Sequence, residues 1–231
     1  MDNSSGVGVI DKTVALLQAV SEGPATLADL VDRTAIPRPT AHRLAVALEY
    51  HGLLERDDEG RFRLGVRLLQ WGGDSDPLLQ QAQDAVMDLR DATGVSAQVY
   101  RRQGDERLCI AAAEPPAGLR DSVPVGSLLT MKAGSAAQVL TAWLTSAERS
   151  AALRGAAFTA ADLKQVRDRG WAHSIGQREP GVASLSAPVR DERGSVVAAV
   201  CLSGPIDRLA RPSRAQTRAL LNAAEVLSAG R

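Results

Sequence analysis

The stretch Pro37-Arg38-Pro39-Thr40-Ala41-His42-Arg43-Leu44 constrains the fold more than any other part of this chain. Proline is tolerated in the first turn of a helix and breaks its interior. A helix therefore opens here, with Pro39 suited to its first position. Two helical patterns precede it. Val9, Ile10, Thr13, Leu16, Leu17 and Val20 recur at helical spacing until Gly23-Pro24 ends them. Thr26, with Asp29 three residues on, is a capping signal for a second helix whose apolar face is Leu27, Leu30 and Val31. Thr34-Ala35-Ile36 is then a turn. The third helix runs to about His51, where Gly52 stops it. At about 100° per residue, Ala41, Leu44 and Leu48 share one face, and Pro39, His42, Arg43, Val46 and Tyr50 share another. Leu53 to Arg56 and Arg61 to Leu64 alternate like short strands around Asp57-Asp58-Glu59-Gly60. Three helices and a hairpin make a winged helix-turn-helix.

That pattern points to duplex DNA. Arg33, Arg38 and Arg43 fall in a run without an acidic residue until Glu49, and each phosphate neutralised by such a helix releases counterions. In this reading His42, Arg43 and Val46 approach base edges in the major groove. Arg38, Thr40 and Tyr50 touch phosphates or flanking bases, and Arg61 and Arg63 of the wing reach backbone or minor groove. A small helical bundle with a polar outer face is the competing reading, and His42 would then be a solvent-facing histidine without a role. Lysine plus arginine equals aspartate plus glutamate at 27 each, so any DNA contact is a local patch rather than a bulk polycation.

Beyond Gly72-Gly73-Asp74-Ser75-Asp76 the texture changes. Asp76 caps and Pro77 starts a helix striped by Leu78, Ala82, Ala85, Val86 and Leu89 and ended by Gly94, a linker helix. Ser96 to Arg101 and Arg107 to Ala113 read as strands. Helices are expected at Gly134 to Leu144, Ala160 to Arg169 and from Ser213 onward, and a hairpin joins Ser184 to Arg190 with Ser195 to Ser203. Strands and helices mix without a βαβ rhythm, so this half is α+β with a mainly antiparallel sheet. The domains are 1–73, a linker helix at 74–94, and 95–231.

Several functions lack their residues. No glycine-rich nucleotide loop, zinc-protease motif or nucleophile elbow occurs, and His42, His51 and His173 are scattered, so no catalytic residue, metal site or cofactor is assigned. Two cysteines, Cys109 and Cys201, make no disulfide framework or cysteine zinc site. The opening residues Met1 to Gly6 carry no leader pattern and no apolar run reaches membrane-spanning length, which implies a cytoplasmic protein with no membrane partner.

One further constellation suggests a ligand. Ser184 and Ser186 point to one face of their strand against Leu185, Ala187 and Val189 on the other. Val197, Ala199, Cys201 and Ser203 likewise share a face. If the serine faces coincide, the sheet has one greasy side and one side with room and hydroxyls. A helix starting near Gly134-Ser135 would offer free N–H groups to a carboxylate. The same small residues also suit close packing of helix on sheet, and both readings stand.

With these residues in place, the chain resembles the IclR family of transcriptional regulators from end to end. The resemblance is carried by Ile10 to Leu17, Pro39 to Leu44 and Arg61 to Gly65, then by Val125 to Leu129, Val166 to Trp171, Glu179 to Ala183, Ser186 to Arg190 and Leu202 to Pro205. More narrowly, Tyr100 to Asp105, Gly118-Leu119-Arg120-Asp121 and Leu129 to Ser135 resemble the actinobacterial NdgR type, tied to amino-acid metabolism and leucine biosynthesis. The resemblance implies a GAF- or profilin-like effector domain, a double-stranded DNA operator, a homodimer or dimer of dimers, and a small-molecule effector, an amino acid or related organic acid. Carried over by position, the effector would be lined by Leu128, Met131, Ser135, Ala136, Ser174, Ser184, Cys201 and Ser203. The chain departs from the family where Gln138 stands in place of the usual lysine, which leaves room for a different effector.

Two function classes follow. The first is a ligand-responsive repressor or activator that is not an enzyme. The second is a GAF-like small-molecule or thiol redox sensor or enzyme using Cys109 and Cys201. The first helix (Leu16, Val20) and the linker stripe (Leu78, Ala82, Val86, Leu89) are the expected contributors to a dimer.

Overall fold

Three helices and a two-stranded wing enclose the first apolar cluster. In a computed structural model, which describes residues 6–72, 76–118 and 121–229, the chain divides into two compact units, Met1–Ser75 and Asp76–Arg231. The 73/74 boundary with Gly73-Asp74-Ser75, the opening Met1 to Ser5, and Leu119-Arg120 lie outside the described residues. The first unit contains α1 (Gly8–Ser21), α2 (Leu27–Thr34), α3 (Arg38–Tyr50), β1 (Leu54–Arg56), β2 (Phe62–Leu64) and α4 (Val66–Gly72). Leu16, Val20, Leu30, Ala41, Ala45, Leu48, Leu54 and Phe62 are its buried cluster.

Local chemistry places these helices. Thr26 caps α2 in a full capping box: its hydroxyl accepts from Asp29 N–H at 3.2 Å, and the Asp29 carboxylate accepts from Thr26 N–H at 2.8 Å. Ala35 ends α2 at φ 55°, a left-handed conformation that disfavours a side chain but turns the chain sharply into α3. The wing is fastened to the helices by reciprocal backbone bonds between Ala25 and Phe62, at 2.9 and 2.8 Å.

The second unit is a six-stranded antiparallel sheet in the order β5-β4-β3-β8-β7-β6. Its strands are β3 (Ser96–Gln103), β4 (Glu106–Ala113), β5 (Leu128–Thr130), β6 (Ala172–Ile175), β7 (Val182–Arg190) and β8 (Val196–Pro205). Helices α5 (Pro77–Thr93) and α10 (Arg214–Ala229) pack on one face. There Leu78, Val86, Leu185, Val200, Leu202, Leu220 and Leu227 form a core. Helices α6 (Ser135–Ala142) and α8 (Ala160–Arg169) lie with a second cluster that includes Tyr100, Cys109, Val139, Leu163, Ala199 and Cys201. Helices α7 (Ser146–Leu153) and α9 (Ile206–Leu209) complete the unit.

The fold is α+β as expected, with one correction. Both faces of the sheet are covered, by α5 and α10 on one side and α6 on the other, and the Ser184 and Ser186 hydroxyls lie against Ser135 of α6. The correction is that the proposed dimer stripes are internal: Leu16 and Val20 belong to the first core, and Leu78, Ala82, Val86 and Leu89 to the core under α10. A helical stripe records burial without saying against what. Residue periodicity marks none of the short elements α4, β5, α7, β6 and α9. The Thr145/Glu148 pair, a capping box in the structure, was the available signal for α7.

Candidate functional site: a helix face and a buried cavity

Burial divides α3 cleanly. Ala41, Ala45 and Leu48 face the core, while Arg38, His42, Arg43, Val46 and Tyr50 are exposed and Thr40 is half-buried. Tyr50 is 86% exposed and Val46 42%. An apolar ring and a valine held in water beside arginines make a surface with no internal purpose. Arg38 and Arg43 have no ion-pair partner among the described residues, and α3 has no acidic residue in its first turn.

The wing arginines differ. Arg61 pairs with Asp57 at 2.8 Å and with Glu59, and Arg63 pairs with Glu55 at 2.8 Å. Arg56 reaches Glu49 at 3.0 Å and lies over the Phe62 ring. The pairs with Glu55 and Glu59 are exposed, and exposed pairs contribute about 0–1 kcal/mol, whereas Asp57 is partly buried. A phosphate could therefore displace Glu55 or Glu59 at little cost, and each wing arginine would meet DNA by giving up a carboxylate.

The second site lies under α6. Gly134 precedes the helix at φ 96°, a conformation that glycine adopts without strain. Ser135 is fully buried, and its hydroxyl bonds both Ser184 and Ser186 at 2.8 Å. Ser184 also meets Ser174 at 2.9 Å, and Ser203 donates to Gln98 Oε1 at 3.0 Å. Register explains the convergence: Ser184 pairs with Ser203, Ser186 with Cys201, and Ser174 with Ser184.

Beside these hydroxyls is a cavity lined by Tyr100, Arg107, Asp121, Gly134, Ser135, Ala136, Ser174, Arg178, Glu179, Val182, Ser184, Cys201 and Ser203. It leaves about 20 Å³ for the centre of a water-sized sphere, roughly one water. Six of the eight residues expected from the sequence line it. Leu128 and Met131 do not: Leu128 lies on edge strand β5 opposite Leu108, and Met131 is buried in the α6 cluster. Sequence reasoning missed the charged half of the lining.

Arg178 and Asp121 form a two-oxygen ion pair at 2.6 and 2.5 Å. Burial opposes the charge on Arg178, but the Asp121 carboxylate outweighs it and raises the pKa. Arg107 is 3% exposed. It donates to the Thr130 carbonyl, and its guanidinium lies 5.3 Å from the centre of the Tyr100 ring. Burial lowers its pKa, and the Tyr100 phenol is pushed well up by burial. Next door, Gln177 Oε1 accepts from Gly134 N–H at 3.1 Å and from Gln138 Nε2 at 3.2 Å. Gln138 thus holds the neutral Gln177 side chain against the start of α6.

The cysteines carry no sign of reactivity. Burial pushes the Cys109 thiol up to about 12 and raises that of Cys201, so neither is a thiolate near neutral pH. No metal-binding cluster occurs among the described residues, and none of their helices is long and apolar enough to cross a membrane.

Comparison with known proteins gives the family of both units. The family model described as the IclR helix-turn-helix domain matches residues 9–58. The model described as bacterial transcriptional regulator IclR C-terminal matches residues 74–229. The chain is 30% identical over 219 residues to the glycerol operon regulatory protein of Streptomyces griseus, covering 87% of this chain and 85% of that one. It is 28% identical over 254 residues to the regulator BhcR of Paracoccus denitrificans, covering 99% and 89%. Among solved structures, an IclR homolog from Microbacterium hydrocarbonoxydans complexed with 4-hydroxybenzoate shares the fold at TM-score 0.70 and 22% identity, covering 96% and 98%.

Proposed function

Because the chain belongs to the IclR family of DNA-binding transcriptional regulators, which carry an effector-binding domain and are not enzymes, we propose that it binds an operator through α3 and its wing under the control of a small carboxylate held beneath α6. Arg43, His42 and Val46 read base edges, Arg38, Thr40 and Tyr50 fix the helix on flanking backbone, and Arg61 and Arg63 exchange their carboxylates for phosphates. The ligand half rests on the convergence of the α6 N-terminus and the hydroxyls of β6, β7 and β8 on one cavity, which has room for about one water and must widen to take a carboxylate. A helix N-terminus presents unpaired N–H groups and a positive dipole end to an anion. Ser135, Ala136, Ser174, Ser184, Cys201 and Ser203 border the ligand, with Leu128 and Met131 behind the first layer.

On the resemblance to the NdgR type, the effector is an amino acid or related organic acid and the regulated pathway is amino-acid metabolism, leucine and branched-chain synthesis in particular. A second reading is favoured by the lining, which includes no leucine, isoleucine or methionine. A hydroxylated three-carbon acid suits that surface, and the Streptomyces relative is named for a glycerol operon. The division into 1–73, a linker helix at 74–94 and 95–231 gives the ligand a route to the DNA-binding unit. The working form is a homodimer or dimer of dimers, since one winged unit reads too few base pairs for a unique address. Val9, Ile10 and Val14 on α1, 45–58% exposed, supply an apolar stripe for it.

The test is recovery of genomic DNA fragments by the purified protein, repeated with leucine, 4-methyl-2-oxopentanoate and glycerate. Recovered sites give the operator, and a ligand-dependent change in recovery identifies the effector class. Failure to enrich any fragment under any condition would defeat the DNA-binding reading.

A further inference from the structure

Arg107 is a buried cation without a carboxylate. Among the described residues no acidic side chain pairs with it, and its Nε has no hydrogen-bond partner. A cation in this position is costly unless something neutralises it. The one buried carboxylate of the cavity, Asp121, has both oxygens held by Arg178. Glu179 also pairs with Arg178, at 3.4 Å, and is mostly exposed. The buried charges of the lining, Arg107, Arg178 and Asp121, therefore sum to one positive charge, balanced only by the exposed Glu179, and the α6 dipole adds to it.

Position and hydrogen-bond balance sharpen the point. A Cβ added at Gly134 would stand 3.3 Å from Arg107 Nη2, so the guanidinium and the start of α6 meet at one place. Gln98, fully buried, uses its carbonyl oxygen for Ser203 and leaves Nε2 without a partner. Gln98 faces Cys201 across the β3–β8 ladder, on the cavity side of the sheet. The nitrogens left over are donors. The hydroxyls of Ser174, Ser184, Ser135 and Ser186 bond one another, and Ser203 gives its proton to Gln98.

We propose that Arg107 is the residue that reads the effector's charge: it takes the carboxylate against the first turn of α6, and the site selects a 2-oxo or 2-hydroxy acid over the α-amino acid of the same skeleton. An ammonium at the 2-position would meet Arg107 and Arg178, and both carboxylates of the lining, Asp121 and Glu179, already pair with Arg178. An oxo or hydroxyl oxygen there accepts from Arg107, whose Nε lacks a partner. This rests on the cavity being the effector site and chooses among the ligands that reading allows.

Calorimetry on the full chain tests it with matched pairs, glycerate against serine and 4-methyl-2-oxopentanoate against leucine. The acid of at least one pair is expected to bind about tenfold or more tighter than its amino acid, the scale of one charge-assisted contact. Arg107→Gln should abolish that preference, and Arg107→Lys should restore part of it, which a purely structural role would not do. The wild-type ratio needs no variant, so a poorly folding Arg107→Gln protein does not spare the proposal. Tighter binding of the amino acid, or a preference retained in folded Arg107→Gln, overturns it while leaving the cavity as the effector site. Absence of heat with all four compounds overturns the cavity reading and this inference together.

Discussion

Gly65→Ala is expected to disable DNA binding without touching DNA. Gly65 is buried where the wing returns to the end of α3, and its N–H donates to the Leu53 carbonyl at 2.9 Å. Its need is for space rather than a left-handed φ. A Cβ there would overlap the Gly52 carbonyl oxygen and lie 2.7 Å from the Gly52 carbonyl carbon and 2.9 Å from that of Leu53. Those atoms are backbone on the turn after α3, so no rotamer change relieves the clash. Overpacking costs about 1–3 kcal/mol even against side chains, and separating the wing from the turn also weakens the Leu53 bond, about 0.5–1.5 kcal/mol. The sum is roughly 2–4 kcal/mol, borne by a unit of about 75 residues whose whole stability is on the order of 4–11 kcal/mol. For a domain of this size each kcal/mol lowers Tm by about 4–8 °C, so the first unit should melt about 8–30 °C lower. The effector unit, with its own cores, should melt as before. Calorimetry with tryptophan and backbone probes separates the two transitions, and operator titration at low temperature should still show weakened binding because the wing is displaced. Gly60→Ala is the control: nothing lies within 4 Å of its added Cβ, and only its φ of +75° is unfavourable, a cost of about 1–2 kcal/mol. A Gly65→Ala protein that melts within a degree of wild type and binds operator equally would refute the argument.

Arg43→Ala should weaken specific operator binding by about 1–3 kcal/mol, while Arg63→Ala, already paired with Glu55, should lower specific and non-specific affinity alike and flatten the salt slope by about one; titrations at several salt concentrations distinguish them. Gln177→Ala should tighten carboxylate binding by up to about tenfold, one hydrogen bond's worth, because it releases the Gly134 N–H; weaker binding by calorimetry would count against competition at that amide. Both cysteines should resist thiol reagents at neutral pH until the effector unit unfolds. The Cys109 pKa is raised in the fold, so stability is full below the ordinary thiol pKa of 9.0 and falls as pH climbs toward about 12; rapid labelling of the native protein at pH 7 would contradict its burial.

The first unit was legible because its signals are local. Pro39, the Thr26/Asp29 cap and the α3 face arithmetic depend on neighbours within a few residues, and helix geometry converts them into a surface. The hydroxyl strip was legible for the same reason: strand alternation put Ser184 with Ser186 and Cys201 with Ser203, leaving only the register between strands to be supplied. Destination was not local. The stripe on α5 reads the same whether it meets a second copy or its own sheet, and the tertiary structure assigns it to the sheet. The charged half of the cavity is the sharper case. Strict alternation along β4 would place Arg107 with Cys109, Ala111 and Ala113 on one face. A bulge opposite Val99 and Tyr100 adds a residue to β4, which turns Ala111 and Ala113 to the α5 side while Arg107 and Cys109 face α6. Asp121 and Arg178, 57 residues apart, meet only once β6 and the loop before β5 are in place. A bulge is set by the partner strand and an ion pair by the closure of two loops, so neither is written in the spacing of the residues that form it.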